Sequence, residues 1–134
     1  MQERTFEAKV ENLDQALAFV DECLEPLGAS MKAQMQIDVA VEELFVNVAS
    51  YAYAPGIGPI TLRVEPEDGA VTITLVDRGT PYDPLAKADP DVTLSAEDRQ
   101  IGGLGIFMVK KSMDAMEYRR EDGCNILTIR KKLL

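Results

Sequence analysis

The 134-residue sequence contains no histidine and no tryptophan, only two cysteines, and just 6% aromatic residues. Without histidine, Ser-His-Asp triads, HExxH zinc sites and phosphorylation on histidine are excluded for this chain. Any proton transfer must therefore use carboxylates or lysine. Cys23 and Cys124 lie far apart and share no metal-ligand spacing, so they read as ordinary thiols of a reducing compartment rather than a disulfide. No apolar run approaches the roughly 20 residues needed to span a bilayer. The opening MQERTFEAKVE has neither the basic region nor the apolar core of a signal segment. A cytoplasmic protein without membrane contact is expected. Positive charge is also scarce: 14 basic against 23 acidic residues leave a net charge of -9, which repels nucleic acid and anionic membrane at long range. A protein partner or a metal-bound small molecule fits that charge better, although acidity alone would equally serve solubility.

What is present is enough apolar sequence, 46%, for one sizeable core, and the chain length suits one domain over residues 1–134. Residues 5–11 alternate weakly as a first strand. Leu13, Leu17, Val20, Leu24 and Leu27 then recur at helical spacing until Gly28. A second helix is predicted from about Ser30 to Ala52 with Ile37, Val41, Leu44 and Val48 as its core stripe, ended by Ala54-Pro55-Gly56. Residues 60–65 and 71–77 form a hairpin about Pro66-Glu67-Asp68-Gly69. Residues 78–101 lack sustained periodicity, as a functional lid or a disordered insertion does. A short helix over 106–113 and two strands, 115–120 and 125–131, complete the chain. This order predicts an α+β two-layer sandwich, with helices on one face of a mixed, largely antiparallel sheet.

Three stretches can carry chemistry. In EELFVN, Glu43 and Asn47 share one helical stripe at the border of the core. Taken alone the pair reads as the solvated edge of an amphipathic helix. In VDRGTPYDP, Asp77 ends a buried strand and Gly79 leaves room for a flat ligand, though a plain turn has the same sequence. In IGGLGIFMVKK, a glycine-rich loop enters a helix, where free N–H groups and the helix dipole favour phosphate. It lacks the Lys-Ser/Thr ending of a Walker A loop and the strand-helix setting of GxGxxG.

The order of these stretches resembles the GHKL ATPase superfamily, with its Bergerat-type ATP-binding fold. Within it, DxGxPxDP followed by GGLGIFMVKKSMD looks most like the small serine/threonine kinases that act as anti-sigma factors in bacterial partner switching. The resemblance implies ATP and Mg2+ as ligands. It assigns the metal to Asn47, the general base to Glu43, and the adenine amino group to Asp77 with Gly79 beneath the ring. Thr128 would support Asp77; Gly103, Leu104 and Gly105 would offer N–H groups to phosphate; residues 83–101 would close as the lid. Arg99 is a further candidate phosphate contact. Two departures stand out: Tyr51 occupies the place where many relatives carry histidine, and the first helix has no arginine to present to a sigma factor. The resemblance implies a serine kinase that phosphorylates a small STAS-type anti-sigma-factor antagonist and exchanges it for a sigma factor, working as a homodimer through its first strand and helix. Competing readings are a non-catalytic ATP/ADP-binding module that sequesters a partner, and a sensor domain detached from a histidine kinase.

Overall fold

The computed structural model describes residues 1–85 and 103–134. The described elements are strand β1 (Gln2–Glu7), helix α1 (Leu13–Leu24), helix α2 (Met31–Asn47), strands β2 (Pro59–Glu67) and β3 (Ala70–Asp77), helix α3 (Gly103–Ser112), and strands β4 (Ala115–Glu121) and β5 (Cys124–Lys132). The sheet order is β1-β2-β3-β5-β4. All four pairings are antiparallel, so the described sheet is purely antiparallel rather than mixed. The expected α+β sandwich is otherwise present, with the helices gathered on one side.

Strand alternation explains this layering. Ile60, Leu62 and Val64 of β2 stand opposite Asp77, Leu75 and Ile73 of β3, and Leu127 and Ile129 continue the same face on β5. These residues are buried beneath Phe19, Val20, Ile37, Val41 and Phe45 of the helices. The intervening residues, including Thr5, Thr61, Thr74 and Thr128, lie on the uncovered face, where the Thr5 and Thr61 hydroxyls share a hydrogen bond of 2.8 Å. β1 begins and ends earlier than expected. Its register puts Phe6 opposite buried Ile60, and after Glu7 the chain turns as the Asn12 amide donates to the Glu7 carbonyl at 3.0 Å.

Local chemistry fixes the helix and turn boundaries. Gly28, at φ 70°, ends the 3-10 turn that follows α1. The Ser30 hydroxyl then caps α2 by accepting from the Ala33 N–H at 3.1 Å. Ile37, Val41 and Leu44 are buried as expected, and Phe45 joins them. Helical structure continues to Ala52, but from Val48 it widens into a π turn. The β2–β3 turn is tighter than expected: Pro66 and Glu67 belong to β2, leaving Asp68-Gly69 as the turn, with Gly69 at φ 74°. Pro66 is tolerated because β1 pairs with β2 only as far as Val64, so its missing N–H deprives no neighbour. The last hairpin turns at Asp122 and Gly123, both at positive φ.

Candidate functional site

The site is built where α2, β3, β5 and the start of α3 converge. Glu43 and Asn47 lie one turn apart near the end of α2, on the stripe that borders the core. A Cβ atom on Gly105 would collide with the Glu43 carboxylate, approaching its Cδ to 2.8 Å. Glycine at 105 therefore lets the opening turn of α3 lie directly against Glu43. Gly103, Leu104 and Gly105 form the first three residues of α3, whose N–H groups have no partner within the helix. The last turn carries Lys110 and Lys111, which complement the opposite end of the dipole.

At the other end of the cleft, Asp77 closes β3 and is only 6% exposed. Its Oδ1 accepts from the Gly79 N–H at 2.8 Å and from Nδ2 of Asn125 at 2.9 Å. Among the described residues no donor is recorded for Oδ2, so Asp77 keeps one acceptor oxygen for a ligand. Asn125, also 6% exposed, uses its whole amide. Nδ2 additionally donates to the Thr80 carbonyl at 2.9 Å, while Oδ1 accepts from the Tyr118 hydroxyl at 2.5 Å and the Tyr82 N–H at 3.3 Å. Asp77, Asn125 and Asn47 line a partly open cleft with Leu44, Tyr51, Ala52, Tyr82 and Tyr118. Its apolar and aromatic walls with a few convergent polar groups are what a flat heterocycle requires.

One expectation needs correction. Thr128 does not support Asp77. It stands opposite Thr74 on the uncovered face of the sheet, while Asp77 stands opposite Asn125 on the helix-covered face. Three residues along a strand reverse the side-chain direction, so Asn125 fills the supporting role that was expected of Thr128. Gly79, which the family resemblance sets beneath the adenine ring, also answers to a neighbour within the fold: a Cβ there would collide with the backbone carbonyl of Ala52, to which the Thr80 N–H donates at 2.8 Å. The glycine lets the loop after β3 seat against the π turn. Tyr53 locks the same junction, its hydroxyl donating to the Pro59 carbonyl at 2.5 Å and accepting from the Arg78 N–H at 2.7 Å. Burial pushes its phenol pKa up. Arg120 adds a bond of 2.8 Å to the Gly79 carbonyl. Arg99 and the lid from residue 86 onward lie outside the described residues.

Sequence reasoning missed Asn125, Ala52 and the π turn. Asn125 had a signal, since it continues the Leu127/Ile129 alternation at the end of β5 that pairs with Asp77. The π turn had none, because it depends on backbone bonding that residue types do not encode.

A buried carboxylate in a largely apolar cleft and a glycine-rich helix start beside the same helix α2 are features of a nucleotide-binding class. The sequence matches the histidine kinase-like ATPase domain over residues 6–131, and the chain belongs to that family. It is 31% identical over 101 residues to the serine/threonine-protein kinase BtrW of Bordetella bronchiseptica, covering 75% of this chain and 71% of that protein. It is 27% identical over 123 residues to the anti-sigma F factor of Caldanaerobacter subterraneus, covering 92% of this chain and 86% of that one. The fold is similar to the crystal structure of the RsbU and RsbW domains of Rv1364c from Mycobacterium tuberculosis. The TM-score is 0.69 with 18% identity, over 99% of this chain and 33% of that longer one.

Proposed function

We infer that the protein is an ATP-dependent serine kinase and anti-sigma regulator, which phosphorylates a small antagonist protein and holds a sigma factor when that antagonist is phosphorylated. The observation that carries this reading is the apposition of the Glu43 carboxylate to Gly105 at the start of α3. It puts the only acid of that stripe beside the N–H groups suited to phosphate oxygens. In the proposed reaction Glu43 accepts the proton of a serine hydroxyl as its oxygen attacks the terminal phosphorus of ATP and ADP leaves. With no histidine in the chain, a carboxylate is the base this sequence can supply.

The residues present fit the nucleotide. Asp77 offers Oδ2 to the adenine amino group, and a carboxylate there discriminates against guanine, whose carbonyl oxygen brings no proton. Asn47, in the cleft wall with Asp77, supplies one neutral oxygen, which suits Mg2+ because that ion keeps several waters and its phosphate ligands. Bound there, Mg2+ would neutralise charge on the triphosphate. Gly103, Leu104 and Gly105 would contact phosphate through their N–H groups, residues 83–101 serving as lid to one domain spanning 1–134. Among the described residues no helix is long and apolar enough to cross a membrane. With free Cys23 and Cys124, this supports a cytoplasmic location. A homodimer through β1 and α1 belongs to the same reading, and sedimentation velocity tests it.

Mixing the protein with Mg-ATP and a STAS-type antagonist should transfer phosphate to serine. Glu43→Ala should lower transfer by about 10²–10⁴-fold while leaving nucleotide affinity intact. Transfer at the wild-type rate would remove Glu43 as the base, and loss of transfer with unchanged control of the partner would favour the non-catalytic module.

A further inference from the structure

β2 and β3 part company after Ile60 and Asp77, and a side chain stands where their next bond would be. Residues of an antiparallel strand point their N–H and C=O groups alternately to its two sides. The Gly58 carbonyl accepts from the Ala8 N–H at 2.8 Å on the β1 side, so Pro59 faces β3. Continuing the register of Ile60 with Asp77 sets Pro59 opposite Arg78. Pro59 has no N–H to give, which leaves one bond to make, from the Arg78 N–H to the Pro59 carbonyl. The Tyr53 hydroxyl occupies that place instead, accepting from the Arg78 N–H at 2.7 Å and donating to the Pro59 carbonyl at 2.5 Å. Two bonds in series through one oxygen hold the strands further apart than a single ladder bond does. The ring reaches this place because residue 58 is glycine, where a Cβ would collide with it.

The spread matters on the cleft side. Released from β2, the chain after Asp77 turns back over the end of the π turn, and each of its next three N–H groups has a set acceptor. Arg78 gives to the Tyr53 hydroxyl, Gly79 to Asp77 Oδ1 at 2.8 Å, and Thr80 to the Ala52 carbonyl at 2.8 Å. Asp77 is thus fixed from one side by Asn125 and from the other by a turn that Ala52 and Tyr53 hold. Asn47, Val48, Tyr51 and Ala52, the residues leading up to Tyr53, line the cleft with Asp77, so this strut sets how far Asp77 stands from that wall. Resting on the nucleotide-binding reading of the cleft, we propose that Tyr53 is a positioning residue for base recognition. Its hydroxyl, standing in for the last bond of the β2–β3 ladder, keeps Asp77 at the spacing that accepts the adenine amino group and refuses guanine. Refusal depends on a carboxylate that cannot retreat from an opposing carbonyl oxygen or admit a water between them. Tyr53 does not line the cleft, so it acts through the backbone of residues 78–80.

Calorimetric titration of the full chain with Mg-ATP and Mg-GTP tests this. In Tyr53→Phe the Arg78 N–H is free to bond the Pro59 carbonyl directly, which extends the ladder and draws the turn away from Ala52. ATP affinity should fall about tenfold while GTP affinity holds or rises, so the preference between the two bases shrinks. Gly58→Ala, which displaces the ring and keeps the hydroxyl, should have the same effect and serves where the first variant does not fold. Ser30→Ala removes a cap at the far end of α2 and should lower the melting temperature without changing the base preference, which separates positioning from a general loss of stability. Unchanged ATP affinity in a folded Tyr53→Phe or Gly58→Ala protein overturns the proposal and leaves the nucleotide reading standing. So does an equal fall for ATP and GTP, or an equal loss of preference in Ser30→Ala. Failure of the wild-type protein to bind Mg-ATP would instead overturn the nucleotide reading, and the role of Tyr53 with it.

Discussion

Asn125 does more for Asp77 than any other side chain, and it does so with every hydrogen-bonding group it has. Asn125→Ala would strip one donor from Asp77 Oδ1 and leave the Thr80 carbonyl and the Tyr118 hydroxyl short of a partner. Removing one side of a buried hydrogen bond costs about 1–3 kcal/mol. A loss of that size is expected in urea unfolding, together with weaker ATP binding by calorimetry as Asp77 loses its fixed orientation. Thr128→Ala, on the uncovered face, is expected to leave ATP affinity unchanged and stability within about 0.5 kcal/mol. The contrast shows how far a single sequence reads at this scale. Asp77, Glu43 and Gly105 became candidates through the order of their three stretches along the chain, since each stretch alone reads as an ordinary turn, helix edge or helix start. The choice between Thr128 and Asn125 depended on strand direction, and Ile126, an apolar residue on the uncovered face, blurs the alternation that would have decided it.

Among the elements, α2 carries both halves of the argument. Its start is set by Ser30, and Ser30→Ala should cost about 1 kcal/mol of stability, as loss of an N-cap usually does. Its flank against α1 holds a second pair of carboxyls. Burial, a hydrogen bond to Asp21 and the Asp21 charge push the Asp38 pKa from 3.8 up to about 7. Asp38 Oδ1 is enclosed with no hydrogen-bond partner among the described residues, and a proton held between the two carboxyls would satisfy it. Because the folded protein holds this proton more tightly than the unfolded chain, the contribution to stability is full below about pH 3.8 and is lost as pH rises through about 7. Thermal melts should therefore fall between pH 5 and pH 8, and Asp38→Asn should flatten that decline. A slope unchanged in the variant would remove Asp38 as its source. The pair was not legible in sequence, since it needs the crossing of α1 over α2, whereas the start of α2 at Ser30 and the presence of a glycine in each hairpin turn follow from local residue chemistry.

For the molecule as a whole, the folded state and the nucleotide are linked through a cleft that draws on α2, β3, β4 and β5 together. Mg-ATP at a hundred times its dissociation constant should add about 2.7 kcal/mol, read as a rise in melting temperature, and an unmoved melt with both ATP and ADP would reject the cleft as the nucleotide site. The contact of Gly105 with Glu43 has one more consequence. A methyl group at 105 needs volume that the Glu43 carboxylate occupies, so the end of that flexible side chain would have to move. Gly105→Ala alone should disturb the site, yet in a Glu43→Ala background the same methyl should be accommodated, giving a double-mutant cycle with a coupling of about 0.5–3 kcal/mol. A coupling of that size would make the two positions an epistatic pair, so that loss of the acid at 43 would release position 105 from glycine.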